Sequence, residues 1–497
     1  MRALKNLAGQ TLIYGLGTII PRLLNYLLLT PFYTRIFIED QYGVISELYA
    51  YAAFLFVLLT YGMETTYFRF AENEKHPSRI FSTSLSALFL TSSGFIILIS
   101  IFADPVSHLI KYPEHPEYII LMASIIGIDA FLSIPFANLR FRNKSLRFAA
   151  IRIISVVANI LFNFFFLVFC PAYLDNNPDS FISILYNPDI GVGYAFISNF
   201  LASLITLILL LPDIFKIRFS FDPSLLRRML VYSLPLMIVG LAGMINEVSD
   251  KIMFRFLLHV PAHIQNPEAY SLAQLGIYSA NFKLAVLMTI FIQMFRYAAE
   301  PFFFSQAKQK DAKELYASVM KYFIIFCLLI FLLVNLYIDL FKYFIGREYR
   351  TGLHIVPVVL SANLLLGILF NLSIWYKLTD RTRFGALIAL SGSIVTIGLN
   401  LLLVPVFGYS GAAWAHFFCN LTMVAISYVL CRKFYPIPYD LKHIFLYIGL
   451  AYSLFFISIS IHYPEIHLKY IFNTILFFAF AGIVFASERK NFIAKYL

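Results

Sequence analysis

Charged side chains are scarce in this chain. Asp, Glu, Lys and Arg make up 13% of its 497 residues, about half of their share in a typical soluble protein. Hydrophobic residues make up 60%, and the mean hydropathy is +0.78. A soluble protein of this length would need far more polar surface to cover its core. The composition therefore excludes most soluble functions and indicates a protein that crosses a membrane many times.

The chain also lacks the motifs of common catalytic and cofactor sites. It contains no P-loop, no glycine-rich nucleotide fingerprint and no HExxH pair, and its ten histidines are scattered. Its four cysteines lie inside or at the ends of apolar runs without paired spacing, as small buried side chains do. We therefore expect no enzymatic activity, no cofactor and no metal site.

Long apolar runs are what the sequence has instead. A run of about twenty residues can cross the hydrocarbon core as a helix, which satisfies its own backbone hydrogen bonds. The runs predict an all-α polytopic protein with about fourteen transmembrane helices. They lie near 11–33, 43–67, 81–102, 118–138, 149–172, 192–213, 231–258, 271–296, 315–338, 353–373, 384–406, 409–431, 443–462 and 468–487.

The basic residues predict the orientation of these helices. If the N-terminus is cytoplasmic, about 25 Lys and Arg residues lie on the cytoplasmic side and about 6 lie outside. The longest outward loop, 173–191, carries none. Because apolar runs interrupt the net charge of +11 every few dozen residues, we expect no nucleic-acid partner. Both termini are predicted to be cytoplasmic.

Short motifs recur in the two halves of the chain. The second, fifth and sixth predicted spans resemble the eighth, eleventh and twelfth, at similar offsets. The pairs are Gln41-Tyr42-Gly43 with Gln274-Leu275-Gly276, Arg147-Phe148-Ala149-Ala150 with Arg383-Phe384-Gly385-Ala386, and Gly193-Tyr194-Ala195-Phe196 with Gly411-Ala412-Ala413-Trp414.

This repetition predicts two six-helix, pseudo-symmetric lobes, residues 1–213 and 214–433, followed by two C-terminal helices in 434–497. Parallel repeats of this kind are common in transporters, which bind substrate between the lobes and expose it alternately to each side. A chance resemblance among apolar, Gly- and Ala-rich helices is the alternative interpretation.

Several of these stretches resemble a known family. The chain is similar to the Wzx-type polysaccharide and O-antigen flippases of the multidrug/oligosaccharidyl-lipid/polysaccharide (MOP) exporter superfamily. The stretches are Tyr33-Thr34-Arg35, Gln41-Tyr42-Gly43, Ser233-Leu234-Pro235-Leu236, Gly408-Tyr409-Ser410-Gly411 and Ala299-Glu300-Pro301-Phe302-Phe303-Phe304. The resemblance implies transfer of an undecaprenyl-pyrophosphate-linked oligosaccharide across a bacterial inner membrane, with a polysaccharide polymerase and glycosyltransferases as partners.

Basic residues within the spans are the candidate substrate-binding residues. A charge at mid-membrane costs about 2.5–3.5 kcal/mol on insertion scales, so it usually faces a protein interior or a wet cavity. Arg22 lies mid-span directly after Pro21, and Lys283 has no acidic residue within one turn. Both are candidates to bind a pyrophosphate, with a structural ion pair as the alternative for Arg22.

The seventh span carries several charges. Glu247, Lys251 and Arg255 share one helix face, and Asp250 is adjacent to Lys251. Lys251 and Arg255 are further candidates for substrate binding. Alternatively, the acids and bases neutralise one another, and Arg255 extends to the outer membrane surface.

Acidic residues within the spans are candidates for ion pairing or for coupling to Na⁺ or H⁺. They are Glu47 and Asp129 in the second and fourth spans, together with Glu247 and Asp250. We expect Arg152, Arg296 and Lys321, near cytoplasmic span ends, to reach the membrane surface.

Together these residues predict a flippase that works by alternating access around a cationic central cavity. Arg22, Lys251 and Lys283 are expected to converge on it, while the lipid tail stays among the membrane lipids. A cation-coupled multidrug antiporter of the same superfamily and a flippase for lipid II, the peptidoglycan precursor, are the alternatives.

Overall fold

The protein is helical throughout the part that the structure describes. This computed structural model describes residues 2–73, 77–216, 220–307, 309–461 and 463–496. No strand occurs in these ranges. Lys75, Arg218 and Lys308, which the sequence analysis counted as cytoplasmic, lie outside them. The predicted all-α, polytopic fold class is confirmed.

Contacts divide the chain into two compact units. The first unit comprises Met1–Ile252 and Glu268–Leu275, and the second comprises Met253–Pro267 and Gly276–Leu497. The division into 1–213, 214–433 and 434–497 stays a prediction.

The first unit contains ten complete helices and most of an eleventh. They are α1 (Arg2–Ile36), α2 (Glu39–Thr60), α3 (Met63–Asn73), α4 (Pro77–Ile101), α5 (Ala103–Leu109), α6 (Pro116–Phe141), α7 (Ser145–Phe164), α8 (Cys170–Leu174), α9 (Ile182–Leu185), α10 (Gly193–Phe215) and α11 (Pro223–Leu257). A π-helical turn, Phe165–Phe169, joins α7 to α8 without a break.

The second unit receives the end of α11 and most of α12. Its helices are α12 (Pro267–Leu284), α13 (Val286–Gln306), α14 (Ala312–Leu336), α15 (Ile338–Phe341), α16 (Val356–Leu372), α17 (Ile374–Leu378), α18 (Arg383–Phe434), α19 (Leu441–Ser460) and α20 (Ile466–Tyr496). Three 3₁₀ segments, at Pro188–Ile190 in the first unit and at Lys342–Phe344 and Glu348–Ile355 in the second, complete the regular structure.

The helices agree with the predicted spans. Among the described residues, eleven helices are long and apolar enough to cross a membrane, or twelve if the bent pair α12–α13 is one span. Helix α18 is 52 residues long and contains two predicted spans, 384–406 and 409–431. Helix α1 contains the first predicted span. With α18 counted as two spans and α1 included, the architecture accommodates the fourteen spans of the sequence analysis.

The break inside α18 occurs at Gly408. This residue has φ 55° and ψ −135°, a conformation that essentially only glycine adopts without strain. A Cβ on nearby Gly411 would lie 2.3 Å from the carbonyl oxygen of Leu403, so the two parts of α18 approach closely there. Glycine at both positions lets the chain reverse within a few residues.

Close packing of α1 on α7 positions a candidate site residue. A Cβ on Gly17 would lie 2.7 Å from the Cβ of Ala149, so the two helices meet at small side chains. Arg22 lies about one and a half turns after Gly17. The Arg147-Phe148-Ala149-Ala150 motif therefore has a packing role in the first unit.

Ion pairs connect the last two helices to the rest of the second unit. Nζ of Lys321 in α14 lies 2.7 Å from a carboxylate oxygen of Glu488 in α20 and 3.5 Å from one of Asp440, just before α19. The side chain of Lys321 is largely buried between these two carboxylates, and the expectation that it reaches the membrane surface stays a prediction.

Candidate functional site

Arg152 interacts electrostatically with several charged side chains in the first unit. The charges of Arg22, Glu64, Asp129 and Arg140 all act on its guanidinium group. We call these five residues the first-unit charge cluster. They come from α1, α3, α6 and α7, so several spans contribute to one polar region.

Neighbouring side chains orient Arg140, Asp129 and Arg152. Arg140 is paired with Glu64. A carboxylate oxygen of Asp129 accepts a hydrogen bond of 2.9 Å from the hydroxyl of Ser203. The guanidinium carbon of Arg152 lies 3.9 Å from the centre of the Phe136 ring, a cation–π contact. Contacts with neighbouring side chains therefore orient members of this cluster, which has three cations and two carboxylates.

The sequence analysis did not connect Arg152 with these charges. It expected this residue to reach the membrane surface, which stays a prediction, whereas in the structure its guanidinium interacts electrostatically with Arg22 and Asp129. Asp129 is the signal that could have indicated this interaction of Arg152. It is an acidic residue within the neighbouring apolar span, and such a residue requires a polar partner.

Glu47 is fully buried and bonded within the first unit. Its Oε2 atom accepts a hydrogen bond of 2.5 Å from the hydroxyl of Tyr112, in the turn that follows α5. This contact ties α2 to that turn. The predicted role of Glu47 in coupling stays a prediction.

On α11, the carboxylate beside Lys251 is that of Asp250. Nζ of Lys251 lies 3.5 Å from Oδ1 of Asp250 and 3.5 Å from the backbone oxygen of Glu247. Asp250 is buried, whereas Glu247 is exposed. Arg255, one turn further along α11, is buried within the second unit.

Lys283 is exposed near the C-terminal end of α12, in the second unit. Two residues earlier, the amide of Asn281 donates hydrogen bonds to the carbonyl oxygens of Ile277 and Tyr349, at 2.8 and 2.7 Å. This asparagine holds α12 to the segment before α16. Lys283 follows two residues later on the same helix.

Exposed cations thus occur in the apolar helices of both units. Arg22 belongs to the first unit and Lys283 to the second. Since a lipid-exposed charge at this depth is costly, such side chains suit a surface that water and anions reach. That Arg22, Lys251 and Lys283 converge on one cavity stays a prediction.

The arrangement of helices has close counterparts among solved transporters. The lipid II flippase MurJ in an inward closed conformation has a TM-score of 0.71 and 14% identity, over 96% of this chain and 99% of that one. A MATE-family multidrug resistance transporter of the MOP superfamily matches with a TM-score of 0.59 and 12% identity in its inward-facing conformation, over 85% of this chain and 94% of that one. The chain therefore has the fold of the MOP transporters.

The sequence defines the family more narrowly. Residues 7–307, more than half of the chain, match the model of the polysaccharide biosynthesis protein family. This chain belongs to that family. No curated protein sequence matches it. The resemblance drawn from the short motifs is confirmed at the level of family and fold.

Proposed function

We propose that this protein is a flippase that transfers an undecaprenyl-pyrophosphate-linked oligosaccharide across the bacterial inner membrane. Its family supports the link to polysaccharide biosynthesis, and its fold is one that alternates between two sides of a membrane in transporters. The proposed transfer requires no chemical reaction of the substrate.

Basic side chains within the spans are the observation that carries the proposal. A pyrophosphate carries two or more negative charges, which hydrocarbon excludes. Arginine offers planar, two-pronged hydrogen bonding to phosphate, and lysine offers a compact charge. Arg22 and Lys283 are exposed at depths where the surrounding sequence is apolar. Lined by such groups, a wet cavity lowers the barrier for the headgroup while the lipid tail stays in the membrane.

The energy source is proposed to be the membrane potential or a gradient of Na⁺ or H⁺. Moving one elementary charge across 100 mV is worth about 2.3 kcal/mol, enough to bias a transport cycle. The carboxylates available for coupling are Asp129 in α6, Glu47 in α2, and Glu247 and Asp250 in α11.

A lipid II flippase is the second candidate function. The match to the lipid II flippase MurJ extends over 96% of this chain, against 85% for the inward-facing MATE transporter. Since lipid II also has a polyprenyl pyrophosphate, the same cationic residues suit it. Survival of cells depleted of their own lipid II flippase, when this chain is expressed, would identify that substrate.

A multidrug antiporter is less well supported by the charges. Cationic drugs favour an acidic or apolar cavity, whereas the first-unit charge cluster has three cations and two carboxylates. Resistance to cationic dyes on expression of this chain would favour the antiporter.

The test is export of polysaccharide by cells that lack their own copy of the gene. We expect Arg22→Gln and Lys283→Gln each to lower export at least tenfold without lowering membrane abundance, because each removes a charge for the pyrophosphate. Arg22→Lys and Lys283→Arg should restore part of it. Lys310→Gln, on an exposed residue after α13, is the matched control. Export at the wild-type level by both glutamine variants would refute the proposed site.

A further inference from the structure

A small cleft lies along α13 in the second unit, apart from the residues assigned above to the candidate substrate site. Arg296 and Glu300 on α13 face Lys377 on α17, and Phe370 and Ser373 complete its wall. Most of the other lining is apolar, so the charged groups are concentrated in one place.

Glu300 lies between the two cations. One carboxylate oxygen is 2.6 Å from Nζ of Lys377, and the other is 3.8 Å from Nε of Arg296. The guanidinium of Arg296 lies 4.9 Å from the centre of the Phe370 ring. All three charged side chains are between one quarter and one half exposed. The cleft therefore carries a net positive charge at a position that an anion can reach.

The first unit contains a counterpart of this carboxylate. Glu64 and Glu300 are separated by 236 positions, as are Arg147 and Arg383 of the repeated motif. Glu64 is paired with Arg140 and also acts on Arg152, so each glutamate is associated with two cations. The guanidinium of Arg140 lies 5.1 Å from the Phe68 ring, as Arg296 lies over Phe370.

Stability alone is a poor explanation for these groups. Half-exposed ion pairs contribute between about 0 and 1 kcal/mol, because water screens them and two long side chains lose conformational freedom. A carboxylate between an arginine and a lysine, however, has the position that a phosphate oxygen would take.

We propose that the cleft formed by Arg296, Glu300 and Lys377 is a docking site for a phosphate-bearing headgroup, and that Glu300 is the counter-ion that this headgroup displaces. Once Glu300 turns away, two cations face a diphosphate with two or more negative charges, so the charges balance. The site deepens the proposed function, on which it rests, by assigning the first contact of the substrate headgroup to the cytoplasmic part of α13.

If the headgroup displaces Glu300, removing the charge of this glutamate should strengthen anion binding, whereas removing either cation should weaken it. Glu300→Gln keeps the size of the side chain but removes the competing charge, so inorganic pyrophosphate should bind about three- to tenfold more tightly. Arg296→Gln and Lys377→Gln should weaken binding at least tenfold. A purely structural ion pair predicts that none of these substitutions strengthens binding.

Binding is measured by titrating inorganic pyrophosphate into full-length protein in phosphatidylcholine nanodiscs. The background is Arg22→Gln with Lys283→Gln, so that the residues of the proposed central cavity do not contribute. Lys310→Gln is the control, and equal melting temperatures establish that each variant is folded. Unchanged or weaker binding by Glu300→Gln would overturn the docking site.

Competition then distinguishes the sources of the phosphate. Undecaprenyl pyrophosphate should displace the probe at concentrations at least tenfold lower than phosphatidylglycerol does. Equal displacement by phosphatidylglycerol would identify a membrane-lipid site and overturn substrate docking. If the cleft fails these tests while the Arg22 and Lys283 variants still lose export, the flippase proposal stands without it.

Discussion

Arg152 shows how a single charge within an apolar helix connects helices that the sequence separates. Its guanidinium packs on Phe136 and interacts with charges from α1, α3 and α6. Such a residue both holds the helices in place and contributes positive potential to their shared polar region. Its removal should therefore affect transport more than any exposed cytoplasmic arginine does.

We expect Arg152→Gln to lower export about tenfold and Arg152→Lys to have a smaller effect, because lysine keeps the charge but not the planar contact with Phe136. The measurement is surface polysaccharide per molecule of protein in the membrane. Arg432→Gln, on an exposed residue near the end of α18, should be unchanged. If Arg152→Gln exports normally, the first-unit charge cluster has no part in transport.

At this scale, the sequence identifies which residues are unusual but not what they contact. Arg22, Lys283 and Asp129 could be selected because a charge in an apolar run is costly. The bond between Glu47 and Tyr112 could not, because the two residues are 65 positions apart and only the folded chain brings them together. The side chain of Lys321 likewise finds its carboxylates on helices that follow more than a hundred residues later.

At the scale of helices, the apolar runs predicted positions well and irregularities poorly. Each predicted span falls on one helix or on consecutive helices, because its length and hydropathy are properties of the local sequence. The π-helical turn at Phe165–Phe169 and the 50° bend between α12 and α13 were not foreseen. They depend on packing against neighbouring helices, about which hydropathy carries no information.

Gly408 should be more sensitive to substitution than a glycine in regular helix within α18. We expect Gly408→Ala to destabilise the protein by about 1–3 kcal/mol, since a Cβ is strained at this φ and ψ. Thermal unfolding in detergent measures the effect. Gly398→Ala is the control, because a Cβ there meets no atom within 4 Å and alanine favours the helix. Equal melting temperatures for the two variants would show that the break in α18 tolerates a side chain.

Asp339, which lies just outside the spans, forms ion pairs that connect α15 to α20. Burial raises the pKa of Asp339, but hydrogen bonds from Lys342 and Lys469, at 2.8 and 2.6 Å, outweigh it and hold the pKa below its ordinary value. A carboxyl group with a lowered pKa stabilises the folded state above the pKa it has when unfolded, about 3.9. That stabilisation is lost as the pH falls through the lower, folded-state pKa.

The difference in melting temperature between the wild type and Asp339→Asn should therefore be constant from pH 8 to about pH 5 and shrink below about pH 4. The exposed residue Glu348, also between α14 and α16, provides the control Glu348→Gln, which should melt like the wild type. If the difference in melting temperature instead grew as the pH fell, the pKa of Asp339 would not be lowered in the folded protein.

At the scale of the whole molecule, composition and charge asymmetry carry most of the information. The low share of charged residues indicates a membrane protein, and the unequal distribution of Lys and Arg predicts that both termini are cytoplasmic. This orientation depends on an even number of spans, because one span more or fewer would reverse every loop that follows it.

Single cysteines introduced into two loops test that orientation directly. Ser183, between α8 and α10, and Lys310, between α13 and α14, are both exposed, and the four native cysteines are buried. In intact spheroplasts, a membrane-impermeant maleimide should label Ser183→Cys and leave Lys310→Cys unlabelled until the membrane is permeabilised. The two sites lie on either side of the predicted sixth, seventh and eighth spans. Labelling of both from outside would therefore show that this region crosses the membrane an even number of times. In that case the paired motifs of the two halves would no longer occupy corresponding positions in the membrane.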